Sequence, residues 1–190
     1  EGSFMQGPVF FHYGKHTKIG KRCFFNYNLT IQDDAPVVIG DDNNFGPNVT
    51  IVTPVHPMLP DERRVILDRD GTPRHLCYAR PVTIGNDCWL GANVVVCPGV
   101  TIGDGCVIGA GSVVIEEVPP NCTVVGVPGR VVKRDNIRTP QDDMDQVHLP
   151  DPVKEDITVL QHENAELVNR VLDLEKEVRI LSTGAGASQE

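Results

Sequence analysis

The chain has 190 residues, enough for one domain with a sizeable core and an appendage. Its formal charge of -9 opposes general binding to nucleic acid or to an anionic membrane surface, so an anionic ligand would need a local basic patch. No run of about 18 apolar residues is present, and no transmembrane helix is expected.

The opening residues "EGSFMQGPVFF" lack the charged and apolar regions of a secretory signal. They begin without methionine and enter apolar sequence at once, as expected of a piece lacking an N-terminal part. From there apolar residues recur at every sixth position: Ile19, Phe25 and Ile31, then, after a two-residue slip, Ile39, Phe45 and Ile51. Residues 53–81, "TPVHPMLPDERRVILDRDGTPRHLCYARP", abandon this step for a long irregular insertion rich in charge and proline. Such an insertion in a compact domain is usually functional or disordered, and His56 stands at its root. The step returns in "VTIGNDCWLGANVVVCPG" (82–99) and "VTIGDGCVIGAGSVVIEE" (100–117), where Ile84, Leu90, Val96, Ile102, Ile108 and Val114 keep it.

A period of six matches neither the 3.6 of a helix nor simple strand alternation. It predicts a triangular solenoid in which each six supplies a short strand and a turn, and three sixes close a coil that stacks at about 4.8 Å. The apolar residue points inward, valine and isoleucine suit the flat faces, and the glycines after it, such as Gly85 and Gly91, are expected to supply corner backbone angles. Cys23, Cys88 and Cys106 share one repeat position, which reads as a small apolar filler rather than a disulfide or metal framework. Reduced thiols suggest a cytoplasmic setting.

Beyond the solenoid (1–134), residues 135–153 are acidic and broken by proline, as in a linker. Over 154–183 two heptad positions recur: Ile157, Asn164, Val171 and Val178, and Leu160, Leu167, Leu174 and Leu181. These predict a coiled-coil helix starting near Asp151-Pro152 and stopping at Gly184, with 184–190 a disordered tail. β-Branched residues facing leucine, with one asparagine, favour two strands. The acidic segment before the heptads argues against a leucine-zipper DNA binder.

The segments "PVFFHYG", "FFNYNLTIQDD", "IGDDNNFGPNVTIVTPVHP", "RPVTIGNDCWLGANVVVCPGVTIGDGCVIGAGSVV" and "VPPNCTVVGVPGRVVKR" resemble, in that order, hexapeptide-repeat acetyltransferases of the maltose/galactoside O-acetyltransferase family, over residues 8–134. The resemblance implies an all-β left-handed parallel β-helix, an exception to the usual right-handed crossover. It implies a homotrimer, with acetyl-coenzyme A as co-substrate in the groove between subunits, no required metal, and a small acceptor such as a sugar. The two-stranded signal of the coil conflicts with such a trimer, so either paired tails cross-link trimers into a higher-order assembly or the threefold solenoid dictates the number of strands in the coil; no nucleic acid or membrane partner is expected.

The resemblance makes His56 the general base, which suits the chemistry: an alcohol is a poor nucleophile toward a thioester until an imidazole removes its proton. It places Asn26 beside the reacting groups, where an oxyanion needs a donor, and Asp34 at the acceptor. Asparagine and aspartate also serve as corner residues. His12 stands where relatives often carry a small polar residue contacting the acceptor, and Trp89 is expected to face the cleft. Backbone groups of Ala92 and Ala110 are assigned to the pantetheine arm, and Arg130, Lys133 and Arg134 to the coenzyme A phosphates. Ile115-Glu116 departs from the Thr-Lys of many relatives, placing a carboxylate where a cation would face phosphate. Two other functions share the repeat: a non-catalytic assembly module, and a γ-type carbonic anhydrase, which would need converging imidazoles from among His12, His16, His56 and His75.

Overall fold

The computed structural model describes residues 2–135 and 152–184, with side chains of the second segment described over 156–176. The expected linker and tail lie outside the described residues except at their ends. The chain divides into two units, Glu1–Pro150 and Asp151–Glu190.

The apolar step of six builds the first unit directly. Phe25, Ile31, Ile39, Phe45, Ile51, Ile84, Leu90, Val96, Ile102, Ile108 and Val114 are all buried along one shaft. Each lies in a strand of two to four residues, after which the chain turns to the next face. The first face stacks Phe4–Met5, Phe24–Phe25, Asn44–Phe45, Trp89–Leu90, Val107–Ile108 and Thr123–Val125 in parallel, and Arg130–Lys133 closes it antiparallel. The second stacks Val9–Phe11, Leu29–Gln32, Thr50–Val52, Val95–Val96 and Val113–Val114. The third stacks Thr17–Ile19, Val37–Ile39, Val82–Ile84 and Thr101–Ile102. The architecture is the expected parallel β-helix.

The glycines act differently from the expectation. Gly85 and Gly91 do not adopt the left-handed backbone; that conformation falls to Asn28, Asp42, Asn48, Asp87, Asn93 and Asn121, among others, with φ between 55° and 62° for these six. A Cβ on Gly91 would lie 2.6 Å from the backbone nitrogen of Ala110 in the next coil, so close approach between coils excludes a side chain there. At the equivalent edge after the third face, aspartate and asparagine form a ladder. Lys21 N–H donates to Asp41 Oδ1 (2.8 Å), Asp41 N–H to Asn86 Oδ1 (2.8 Å), and Asn86 N–H to Asp104 Oδ1 (2.6 Å).

The cysteine position is filled as expected. Cys23, Cys88, Cys106 and Cys122 are buried free thiols. The thiols of Cys23, Cys88 and Cys106 each donate at 3.1 Å to a carbonyl of the following coil. The neighbouring Cys106 thiol, together with burial, raises the Cys88 thiol far above its usual range. Asn43 occupies the same column, donating to Gly40 and Gly85 carbonyls at 3.0 and 2.9 Å.

The insertion is more regular than expected. Pro54–Val55 pairs antiparallel with Tyr78–Ala79, making an arm that leaves and rejoins the prism at one place. Inside it lie one helical turn, Pro60–Arg63, and a hairpin of Ile66–Leu67 with Pro73–Arg74. Arg63 Nη1 ties the turn by donating to the Pro57 and Met58 carbonyls, both at 3.1 Å. Met58, Leu59, Ile66 and Leu67 on the arm are exposed.

The second unit holds one helix, Pro152–Gly184. Proline at its first residue lacks only an N–H that would be unpaired there in any case. Every side chain from 156 to 176 is exposed. No helix among the described residues is long and apolar enough to cross a membrane.

Candidate active site

The step of six breaks at one corner of the prism on three successive coils: between Phe11 and Ile19, between Ile31 and Ile39, and between Ile51 and Ile84. His12, Asp34 and His56 fall in these three breaks; His12 and Asp34 lie one and two residues beyond strands of the second face, whereas His56 follows Pro54–Val55 on the arm. The sequence reading registered the last two breaks and missed the first.

Adjacent aspartates divide the work at this corner. Asp33 is buried and accepts from the N–H groups of Tyr13 (2.8 Å), Gly14 (3.1 Å) and His16 (3.1 Å) and from the Thr17 hydroxyl (3.1 Å). Burial alone would raise its carboxyl, but these donors outweigh it and hold the group below the ordinary carboxylate value. Asp33 thereby fixes the turn that follows His12. Asp34, at 22% side-chain exposure, instead accepts at 3.1 Å from Nδ1 of His12, which is half exposed. Because a carboxylate can only accept, Nδ1 carries the proton of that bond.

Thr53 anchors the arm to the same corner. It is fully buried; its hydroxyl donates to the Gln32 carbonyl (2.7 Å) and accepts from Ala35 N–H (2.9 Å), so it grips both sides of Asp33-Asp34. The Thr53 carbonyl accepts from Arg80 N–H (2.9 Å), where the arm returns. Three residues beyond Thr53 comes His56, exposed, with Nδ1 donating to the Leu76 carbonyl at 3.0 Å. In the neutral imidazole that bond selects the tautomer with the proton on Nδ1 and makes Nε2 the acceptor nitrogen. Leu76 contributes only a carbonyl, so no residue type in the sequence could have revealed it.

The other expected residues lie along a different edge, between the first and second faces. Gly46, Gly91 and Gly109 occupy one column there, followed by Pro47, Ala92 and Ala110, because Phe45, Leu90 and Ile108 are in register. Asn26 takes the glycine place one coil earlier, and its Oδ1 accepts from Tyr27 N–H at 2.9 Å. Its Nδ2 is therefore the end left to donate outward. None of the described residues accepts from the N–H of Ala92 or Ala110, although the corresponding groups at Asp41 and Asn86 on the neighbouring edge are bonded. Ala92 is half-buried and Ala110 exposed.

Trp89, half-buried on the first face between Asn44 and Val107, lines a recess with Asp42, Asn44, Asp87 and Asp104. Arg130 and Lys133 are exposed on the closing strand, and Ile115 and Glu116 are exposed after Val114. Among the described residues no group of three or more His, Cys, Asp or Glu side chains is placed to hold a metal ion.

A single prism thus carries His12, Asp34 and His56 on one corner and Asn26, Ala92 and Ala110 on another, with the strand Leu29–Gln32 between Asn26 and Asp34. The family model for bacterial transferase hexapeptide (six repeats) matches residues 81–116. A maltose O-acetyltransferase structure from Clostridium difficile 630 is 38% identical, with a TM-score of 0.60, over 70% of this chain and 69% of that one. The chain belongs to the hexapeptide-repeat acetyltransferase family. Within that family it is 44% identical over 138 residues to galactoside O-acetyltransferase of Escherichia coli (strain K12), covering 73% of this chain and 64% of that protein. The structure of a galactoside acetyltransferase in complex with coenzyme A matches with a TM-score of 0.62 and 43% identity, over 71% of this chain and 63% of that chain. The chain therefore spans less than two thirds of the length of these galactoside acetyltransferase relatives.

Proposed function

We propose that the protein transfers an acetyl group from acetyl-coenzyme A to a hydroxyl of a sugar or similar small acceptor, with His56 as general base. The observation that carries this reading is the bond from His56 Nδ1 to the Leu76 carbonyl, which in the neutral ring makes Nε2 the nitrogen able to accept a proton. Nε2 takes the acceptor's proton as its oxygen attacks the thioester carbonyl. The Nδ2 group of Asn26 donates to the resulting oxyanion, since its Oδ1 is already committed to Tyr27. Collapse breaks the carbon–sulfur bond, and the departing thiolate recovers the proton from the imidazolium. Asp34, held by His12, orients the acceptor.

The donor side fits the same reading. The N–H groups of Ala92 and Ala110, one above the other and without acceptors among the described residues, suit the carbonyls of a pantetheine arm. Arg130 and Lys133 supply cations for the nucleotide phosphates. Because the two sets of residues occupy different corners of one prism, the reaction centre forms where the His56 corner of one subunit meets the Ala92 edge of the next, in a homotrimer. The exposed apolar residues of the arm, Met58, Leu59, Ile66 and Leu67, support such a neighbour. Buried free thiols support a reducing, cytoplasmic setting.

The test is thiol release from acetyl-coenzyme A with a panel of sugars and other alcohols, comparing wild type with His56→Ala. Turnover is expected to fall by about 10²–10⁴. Equal turnover would remove His56 as the base, and silence of wild type on every acceptor would remove the enzyme.

A further inference from the structure

The helix Pro152–Gly184 is about 50 Å long at 1.5 Å per residue, yet every described side chain on it is exposed. Helices of globular proteins draw most of their stability from burying an apolar face. Here Ile157, Leu160, Leu167, Val171 and Leu174 fall on one seam in a 3,4 spacing and are 48–64% exposed. The polar face is already settled: His162 and Glu166 approach at 3.8 Å and Lys176 bonds Asp173 at 2.9 Å, all four on the side opposite the seam. Among the described residues four charged side chains flank the seam, Asp156, Glu163, Arg170 and Glu175, and Arg170 is the one basic residue of the four. Arg170 stands just before Val171 and Glu175 just after Leu174, and neither forms an ion pair with a described residue. They are five residues apart, the wrong spacing for pairing within one helix, which needs three or four.

We infer that this helix is an interaction surface whose partner is the same helix of a second copy, joined to it in a parallel, two-stranded coiled coil. In that arrangement residues flanking the seam and five apart face each other across it, so Arg170 of each copy meets Glu175 of the other, twice by symmetry. Asn164 lies on the seam between Leu160 and Leu167 and meets its own counterpart only when the two helices are parallel and unshifted. β-Branched Ile157 and Val171 alternating with Leu160, Leu167 and Leu174 select two strands over three. The β-helix supplies none of these residues, so the inference does not rest on the proposed chemistry.

The experiment measures the mass of the full chain by sedimentation equilibrium over a range of concentrations. Leu160→Lys/Leu167→Lys/Leu174→Lys is expected to halve the wild-type mass while leaving the thermal unfolding of the β-helix unchanged. Equal masses for wild type and this variant would overturn the inference. Arg170→Glu and Glu175→Arg, each alone, are expected to raise the concentration at which half the assemblies dissociate by roughly tenfold, and the double exchange to restore it. A double exchange no better than the single ones would overturn the parallel register.

Discussion

The hydroxyl of Thr53 donates to the Gln32 carbonyl at 2.7 Å while accepting the N–H of Ala35 at 2.9 Å, so one buried side chain closes a corner between two coils. Thr53→Val keeps the shape and removes both bonds; the Gln32 carbonyl keeps the Thr53 backbone N–H at 3.1 Å, while the Ala35 N–H loses its acceptor, at a cost of about 1–3 kcal/mol. For a chain of this size that lowers Tm by roughly 3–10 °C. Because His56 follows three residues later, turnover is expected to fall as well, and Thr53→Ser to recover both. A calorimetric Tm equal to that of wild type would show that the corner does not depend on this brace.

The prism was legible because its core is written in one repeated letter type. Ile84, Leu90, Val96, Ile102, Ile108 and Val114 could be named from spacing alone, and all are buried. The glycines misled because sequence shows that a side chain is absent but not why: Gly91 yields to the Ala110 backbone, while Asn48 and Asn93 carry the corner conformation. The site was legible in part. His56 stands out as a chemistry-bearing residue where the period breaks, and Asp34 is singled out by the family resemblance alone, whereas Asp33, its neighbour in "QDD", is identical in type and distinguished only by the four donors that surround it. The regular strands within 53–81 were hidden because pairing in a hairpin of proline-rich, charged sequence has no apolar period to announce it.

Pro47 stands in the column of Ala92 and Ala110 and lacks the N–H assigned to the donor substrate there. Its presence shows that the corner accepts proline's fixed φ, which makes Ala92→Pro and Ala110→Pro clean deletions of one N–H each. Each is expected to fold with unchanged secondary structure and to raise KM for acetyl-coenzyme A roughly three- to tenfold, the worth of one hydrogen bond. Ala92→Ser, which keeps the N–H, should behave as wild type. Steady-state kinetics in which the proline variants keep the wild-type KM would detach the donor from this edge.

His12 and Asp34 are bonded at 3.1 Å, and their substitution should act on the acceptor alone. Asp34→Ala is expected to raise the acceptor KM by about tenfold, with KM for acetyl-coenzyme A unchanged. His12→Ala should produce a smaller rise. Since each loses the same contact, the double variant should cost less than the product of the two single effects. Strictly multiplicative effects, or a matching change in the acetyl-coenzyme A KM, would mean that the pair does not read the acceptor.

Asp33 sets an acid limit on the same corner. Three backbone N–H groups and the Thr17 hydroxyl hold its folded carboxyl below the ordinary value of 3.8, overcoming the opposing effect of burial. A group whose folded pKa is depressed stabilises the native state fully above its unfolded value and ceases to do so as pH falls through the folded one. Asp33→Asn is therefore expected to lower Tm by several degrees at neutral pH, where the charge-assisted bonds are lost. The gap to wild type should close only as the pH is taken below the ordinary carboxylate value, since only there does wild type lose the same charge. Thermal melts from pH 7 down to strongly acid buffer test this. A gap that stayed constant across that range would show that the anion contributes nothing and that Asp33 acts by shape alone.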